Sequence, residues 1–415
     1  MNILIHIWNL SKHRGSEFSV SYNYLKSMER SHKLYVTIAS TSYEREDYSE
    51  LEELKAEFPN CEFITVEPNL YMNIWKKLER KIPAYLLNIS KYGYYKQWEK
   101  QLYRKVKKSD FYANIDLIHY VGPAGYHEPG YLYKLEKPYI WGATSGFENI
   151  NKELAKRLFA SKKFLLLKSL LNTIAIKFNI RLKKVIKHSD IIIAATNSNR
   201  ELIEKNFKHR NKIMYFPENL MRINEEKILS KEFIKNKFSN IQTLNIIWIG
   251  NIEPRKMPNL FIDSLRLVKS KRIRVNIIGG GYSIIRKQCD LEFVNFIDRI
   301  PREMVDDYWN QAHIHVITSA LEANTTVLFE AMEHCVPTIT TDICGMKDIV
   351  KDNTGFKIPI NNYDQVCAQL AQIIDNIATN PSILLPMAFS LREDSYNYVA
   401  HKREDFYNNL YNSFN

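Results

Sequence analysis

Two glutamates eight positions apart, Glu322 and Glu330, frame the segment of this chain best suited to binding chemistry. They flank the small polar stretch Asn324-Thr325-Thr326. A backbone built from such residues comes close to a ligand. It also opens a helix whose first N–H groups have no intrahelical acceptor and suit a phosphate. A carboxylate accepts from two hydroxyls at once. One carboxylate on each side of an anion site can therefore hold a sugar nucleotide by its hydroxyls. Spacing alone does not decide the matter, because 46 acidic residues produce such pairs by chance. An ordinary strand–helix–strand unit with two solvated glutamates is the competing reading.

The flanks say which elements position these groups. Residues 313–318 read as a buried strand entering the loop. Leu328, Ala331, Met332 and Cys335 recur at helical spacing. Residues 336–340 read as the next strand. Similar apolar runs occur at 2–8, 33–39, 61–66, 116–121, 138–141, 190–195 and 212–216. They continue at 245–250, 274–279, 292–297 and 355–358. Helix-like segments alternate with them, which implies parallel sheets covered by helices on both faces. The length of 415 residues suits two or three domains. Phe216-Pro-Glu-Asn219, followed by charged residues, reads as a domain connection. The expected α/β architecture is two doubly wound domains facing across a cleft, over 1–217 and 218–385. Ligands are expected at the carboxyl ends of strands.

The block Ser319–Thr340 resembles the retaining family-4 glycosyltransferases, which have the GT-B fold and use nucleotide sugars. Further blocks carry the same resemblance. Ile246-Ile-Trp-Ile-Gly250-Asn-Ile-Glu-Pro-Arg255-Lys256 is similar to the strand and loop that open the family's second domain. Val275–Gly281 and Val294–Glu303 are similar to its next two strand ends. Arg14-Gly15-Ser16-Glu17 resembles the first-strand loop. Trp141-Gly142-Ala-Thr-Ser-Gly146-Phe-Glu148 resembles a glycine-rich block of bacterial exopolysaccharide, lipopolysaccharide and capsule transferases.

The resemblance implies roles. Arg255 and Lys256 match the basic pair at the donor diphosphate, one a planar fork and the other a compact charge. Fixed cations aimed at the leaving group are the main electrostatic lever in such a transfer. Glu330 matches the carboxylate at the nucleotide ribose, and Glu322 the residue at the donor sugar. Thr325 and Thr326 are expected to offer N–H groups to the phosphates, with Asn324 beside them. Gly250 and Asn251 line the donor loop, and Ile300 falls where the base pairs with the main chain. Gly15 and Ser16 are expected to approach the diphosphate from the first domain. His119 falls near a family active-site histidine; a structural and a functional role both fit it. His127 and Glu128 are weaker candidates for acceptor contacts. Two departures stand out: asparagine at 251, where many members carry arginine, and a 142–146 loop that has lost glycines. The resemblance also implies residues 386–415 crossing back to the first domain. It implies no metal, and no cofactor beyond the nucleotide-sugar donor.

Composition bounds the remaining calls. The five cysteines lack paired spacing, which argues for a reducing compartment and against a disulfide framework or zinc site. The N-terminus reads as a strand and not a signal peptide, and no apolar run suits a membrane span. The net charge is +12. Residues 71–109 and 154–189 together carry +19, leaving −7 for the rest of the chain. Basic segments bearing aromatics such as Trp75, Tyr94, Tyr95 and Trp98 suggest an anionic membrane surface. A nucleic acid and a plain solvated face compete with that reading. Phe164 to Leu167 fit either membrane insertion or a core. The expected protein is a cytoplasmic, bacterial-type transferase, peripheral on the inner membrane face, acting on a glycan or lipid-linked acceptor. Nucleic acid is not an expected partner. A non-catalytic GT-B scaffold, or a basic nucleic-acid-binding protein, is the alternative.

Overall fold

A computed structural model describes residues 1–13, 17–39, 49–79, 87–160, 162–207, 212–281 and 283–414. Gly15 and Ser16 lie outside the described residues. The chain divides into two compact units. The first comprises Met1–Glu148, Leu171–Glu218 and Arg403–Asn415; the second comprises Asn149–Leu170 and Asn219–Lys402.

The first unit holds β1 (Asn2–His6), β2 (Lys33–Ile38), β3 (Cys61–Thr65), β4 (Leu117–Tyr120), β5 (Tyr139–Thr144), β6 (Ile191–Ala194) and β7 (Lys212–Tyr215). They form one sheet in the order β3-β2-β1-β4-β5-β6-β7. The second unit holds β8 (Leu244–Ile249), β9 (Ile273–Ile278), β10 (Val294–Ile297), β11 (Ile314–Ile317), β12 (Thr338–Thr341) and β13 (Gly355–Ile358). Their order is β10-β9-β8-β11-β12-β13. Every pairing in both sheets is parallel. Parallel strands buried on both faces read as unbroken apolar runs, and each strand falls on one of the runs named above. In each sheet the order reverses between two central strands, β1 and β4 or β8 and β11. The loops leaving such a pair diverge and make room for a ligand at their carboxyl ends.

Two segments differ from the expected division. Residues 149–170 join the second unit, because Ile150, Leu154, Ala155 and Leu158 are buried in its core. Residues 386–402 also stay there, through the buried Ala388, Leu391 and Val399. Only the last helix, Lys402–Asn412, lies with the first unit, where Tyr407, Leu410 and Tyr411 are buried. Of the aromatics in the first basic segment, Trp98 and Tyr94 are buried and pack edge-on against Trp8, whereas Tyr71 is exposed; the Trp75 side chain lies outside the described residues.

Candidate donor site

Gly250 ends β8 with φ +155°, a conformation that favours glycine. A Cβ there would stand 2.9 Å from the Lys256 ammonium. The chain then enters the short turn Pro254–Lys256, passes through Met257 at φ 48°, and begins the helix Pro258–Leu267 with proline in its first turn. Arg255 and Lys256 are thus fixed on a turn held at both ends.

The loop after β11 is laced to that turn. The Ala320 amide donates to the Arg255 carbonyl at 2.7 Å. Thr318 Oγ1 sits 3.0 and 2.9 Å from the Lys256 and Met257 carbonyl oxygens. Glu322 then faces both cations, 2.6 Å from Arg255 Nη1 and 3.7 Å from Lys256 Nζ. Ser319 donates to it at 3.3 Å. Arg255 is also paired with Glu253 at 2.8 Å. Burial works against the Arg255 charge, but the two carboxylates outweigh it and raise the guanidinium pKa.

Beyond Glu322 the chain turns at Asn324. Asn219 donates its backbone N–H to Asn324 Oδ1 at 3.0 Å and its side-chain amide to the Asn324 carbonyl at 2.6 Å. This clip presents Thr325 as the N-cap of the helix Thr326–Glu333. No side-chain cap bond occupies that terminus, and helix geometry leaves its first N–H groups without intrahelical acceptors. Buried Leu328, Phe329, Ala331 and Met332 hold the inner face of the helix. Glu330 lies beside that face and accepts from Arg302 Nη2 at 2.8 Å. Glu333 anchors the same helix, accepting from the Arg222 amide at 2.6 Å and its guanidinium at 2.9 Å.

The second unit therefore brings together Gly250, Arg255, Lys256, Glu322, Asn324, Thr325, Thr326 and Glu330. Asn251 is exposed at the mouth of the β8 loop, and Ile300 is half-buried against Trp309 and its neighbours. Sequence reasoning gave no role to Arg302, Glu253 or Asn219. Arg302 is two residues past Ile300, but its partner lies across the fold, and no spacing signals that contact.

His119, in the first unit, is wholly buried. Its Nε2 is 2.7 Å from the Gly142 carbonyl, so that nitrogen carries the proton and donates. Nδ1, left with its single lone pair, faces the Tyr411 hydroxyl at 2.6 Å and the Tyr24 hydroxyl at 3.0 Å, which also hydrogen-bond each other. Burial pushes its pKa down to about 3, against the pull of the Gly142 carbonyl. This neutral ring braces β5 at Gly142, where the strand's register shifts, and both its nitrogens are engaged inside the protein. Gly142 has φ +131°, and a Cβ there would meet the Ile193 carbonyl oxygen at 2.1 Å. Thr144 and Ser145 both donate to the Ala124 carbonyl, at 3.0 and 2.8 Å. Glu128 is buried and paired with Arg181.

Residues 230–381 match the family model "Glycosyl transferases group 1", a span that contains Gly250, Arg255, Lys256, Ile300, Glu322, Asn324, Thr325, Thr326 and Glu330 but not Gly15, Ser16, Asn219 or Arg222. No curated protein sequence matches the chain. Among solved structures, the sucrose-phosphate synthase of Thermosynechococcus elongatus is similar at TM-score 0.67 and 13% identity, over 99% of this chain and 98% of that one. Anabaena Alr3699/HepE, solved with UDP and glucose, is similar at 0.59 and 12%, over 100% of each chain. The lipopolysaccharide outer core galactosyltransferase WaaB is similar at 0.61 and 14%, over 100% of each chain. At such identities the structural likeness establishes the fold, which is GT-B: two Rossmann-like domains with sheets of seven and six strands. The second unit thus carries a segment similar to the group 1 glycosyl transferases, set within a GT-B fold.

Proposed function

We propose that the chain is a retaining, metal-independent hexosyltransferase that builds a surface glycan. Its acceptor is a glycan precursor, most simply a lipid-linked oligosaccharide at the inner membrane face. One observation carries the reading: Glu322 bridges Arg255 and Lys256 at the β8/β11 switch point, and the helix that follows presents Glu330 one turn past its open N-terminus. The bond between the anomeric carbon and the donor diphosphate breaks, and the acceptor oxygen bonds to that carbon on the same face. The acceptor proton passes to the departing diphosphate. Arg255, Lys256 and the N–H groups at Thr325–Thr326 stabilise the charge that develops there. Neutralisation by side chains and a helix terminus leaves no step that needs a metal. Glu330, held by Arg302, takes the ribose diol, and Glu322 takes the sugar ring. Asn324 Nδ2 is buried without a partner, and an oxygen-bearing ligand would remove that cost.

A hydrolysis screen over UDP-, GDP- and ADP-sugars without acceptor tests the reading. Release of free sugar in the α-configuration from one donor, unaffected by chelator, is the expected result. Inversion, or a strict metal requirement, would overturn the corresponding part, and inertness toward every donor would favour the scaffold alternative.

A further inference from the structure

The helix Lys162–Phe178 is apolar on the side that faces water as well as on the side that faces protein. Inward, Asn172 donates to the Phe147 carbonyl at 3.1 Å and Ile176 is buried among Tyr126 and Phe147. Outward, Leu166, Leu167, Leu170, Leu171, Ile174 and Phe178 recur at three- and four-residue steps, with exposures from 37% to 64%. Ile180, at the start of the next helix, is 67% exposed. These seven are more than half of the thirteen large apolar side chains exposed among the described residues. An apolar stripe left facing water on a helix that also carries exposed lysines is the pattern of a helix lying in a membrane interface. Among the described residues, no helix is long and apolar enough to cross a membrane.

The charges around the stripe choose its partner. Residues 154–189 contain ten Lys/Arg and no acid. Lys163 and Lys177 lie on the same helix, and Lys183, Lys184 and Lys187 on the next; all five are exposed. Two copies of the chain meeting through this face would set cation against cation. An anionic bilayer meets the lysines with phosphate and the stripe with acyl chains.

We infer that the outward stripe Leu166–Phe178, with Ile180 and the flanking lysines, is a docking surface that inserts shallowly into anionic lipid bilayers. The inference deepens the membrane-facing part of the proposed function and makes no use of the donor site. It also resolves the 164–167 run, in which Phe164 and Leu165 are half-buried while Leu166 and Leu167 are exposed.

The test is sedimentation of the full chain with vesicles of phosphatidylcholine alone, or of equal parts phosphatidylcholine and phosphatidylglycerol. Binding is expected to the anionic vesicles only, with partitioning falling at least about tenfold when Leu171, Ile174 and Phe178 become serine, or when Lys177, Lys183 and Lys184 become glutamate. Donor hydrolysis in solution reads the enzyme separately and is expected to be the same for both variants and wild type. Wild type that ignores anionic vesicles at low salt would overturn the inference, whatever the hydrolysis shows. So would a serine variant that binds as well as wild type, which would leave only a diffuse charge effect. A concentration-dependent dimer abolished by the serine changes, without vesicle binding, would assign the stripe to a second copy instead. Salt-sensitive retention on DNA without vesicle binding would assign the face to nucleic acid.

Discussion

Glu322 and Glu330 resemble each other in sequence and differ in company. Glu322 is paired with both Arg255 and Lys256, so removing it leaves Lys256 without that carboxylate and Arg255 with Glu253 alone, besides removing the proposed sugar contact. Glu330 has a single guanidinium partner. Lys256→Ala is expected to lower turnover at saturating donor by at least ~100-fold, as for loss of one preorganised electrostatic group. Stopped assays at saturating donor check this, and normal turnover would remove Lys256 from the mechanism. Asn251 sets a companion experiment. It is exposed at the loop mouth, so Asn251→Arg has room to be accommodated and is expected to raise the hydrolysis rate. A dead but folded variant would mean that the loop is shaped around asparagine.

At the scale of elements, the proposed donor site is two loops laced together and one clipped helix. Gly250→Ala strains a backbone at φ +155° and drives a methyl against the Lys256 ammonium. It is expected to slow turnover more than it weakens diphosphate binding, because it displaces one cation and leaves the helix Thr326–Glu333 in place. Kinetics and calorimetry on the same variant separate the two effects. Asn324→Ala removes the acceptor for the Asn219 amide and loosens the helix terminus. About 0.5–1.5 kcal/mol of donor affinity is the expected loss for a neutral hydrogen bond, read as weaker diphosphate binding. The strands were legible in the sequence because parallel sheets bury unbroken Val/Ile/Leu runs such as Ile191-Ile-Ile-Ala194. The loops that carry Gly250, Arg255, Lys256 and Glu322 stood out in the sequence because backbone-shaping and charged residues cluster there within a few positions. The clip at Asn219 was not, since its partner lies about a hundred residues away and any asparagine in a connection reads as a turn. His119 was ambiguous for a related reason: a strand-end histidine looks the same whether its ring meets a ligand or, as here, two tyrosines from other elements.

Across the whole molecule, sequence order misassigned two segments because adjacency along the chain does not say which core a residue joins. Ile150 and Leu154 follow the first domain's strands, yet the second unit's core buries them. The same burial gives a pH signature. Burial pushes His119 and His315 down to about 3, and His313 and His334 to about 4. An unfolded chain takes up these protons below the ordinary value near 6.5, while the folded chain resists. The contribution is therefore fully present above pH 6.5 and is lost as pH falls toward 4, by up to about 1.4 kcal/mol per pH unit for each histidine. Lys237, half-buried and donating to the Trp309 carbonyl at 2.8 Å, is pushed down by desolvation to about 7. By the same sign, stability rises as pH climbs from about 7 toward the ordinary lysine value. Denaturant midpoints are expected to fall between pH 7 and pH 5 and to rise between pH 7 and pH 9. A flat profile would contradict neutral burial of these groups.

The claim on which the account depends is that the carboxylate at 330 reads a nucleotide. Calorimetry of UDP, GDP and ADP on wild type and Glu330→Ala tests it without knowledge of the sugar or the acceptor. The account predicts that one diphosphate binds wild type and that the variant loses ~1.5–3 kcal/mol of that affinity, roughly a ten- to hundredfold weaker Kd. Equal affinity in the two proteins, or no diphosphate bound by folded wild type, would contradict it.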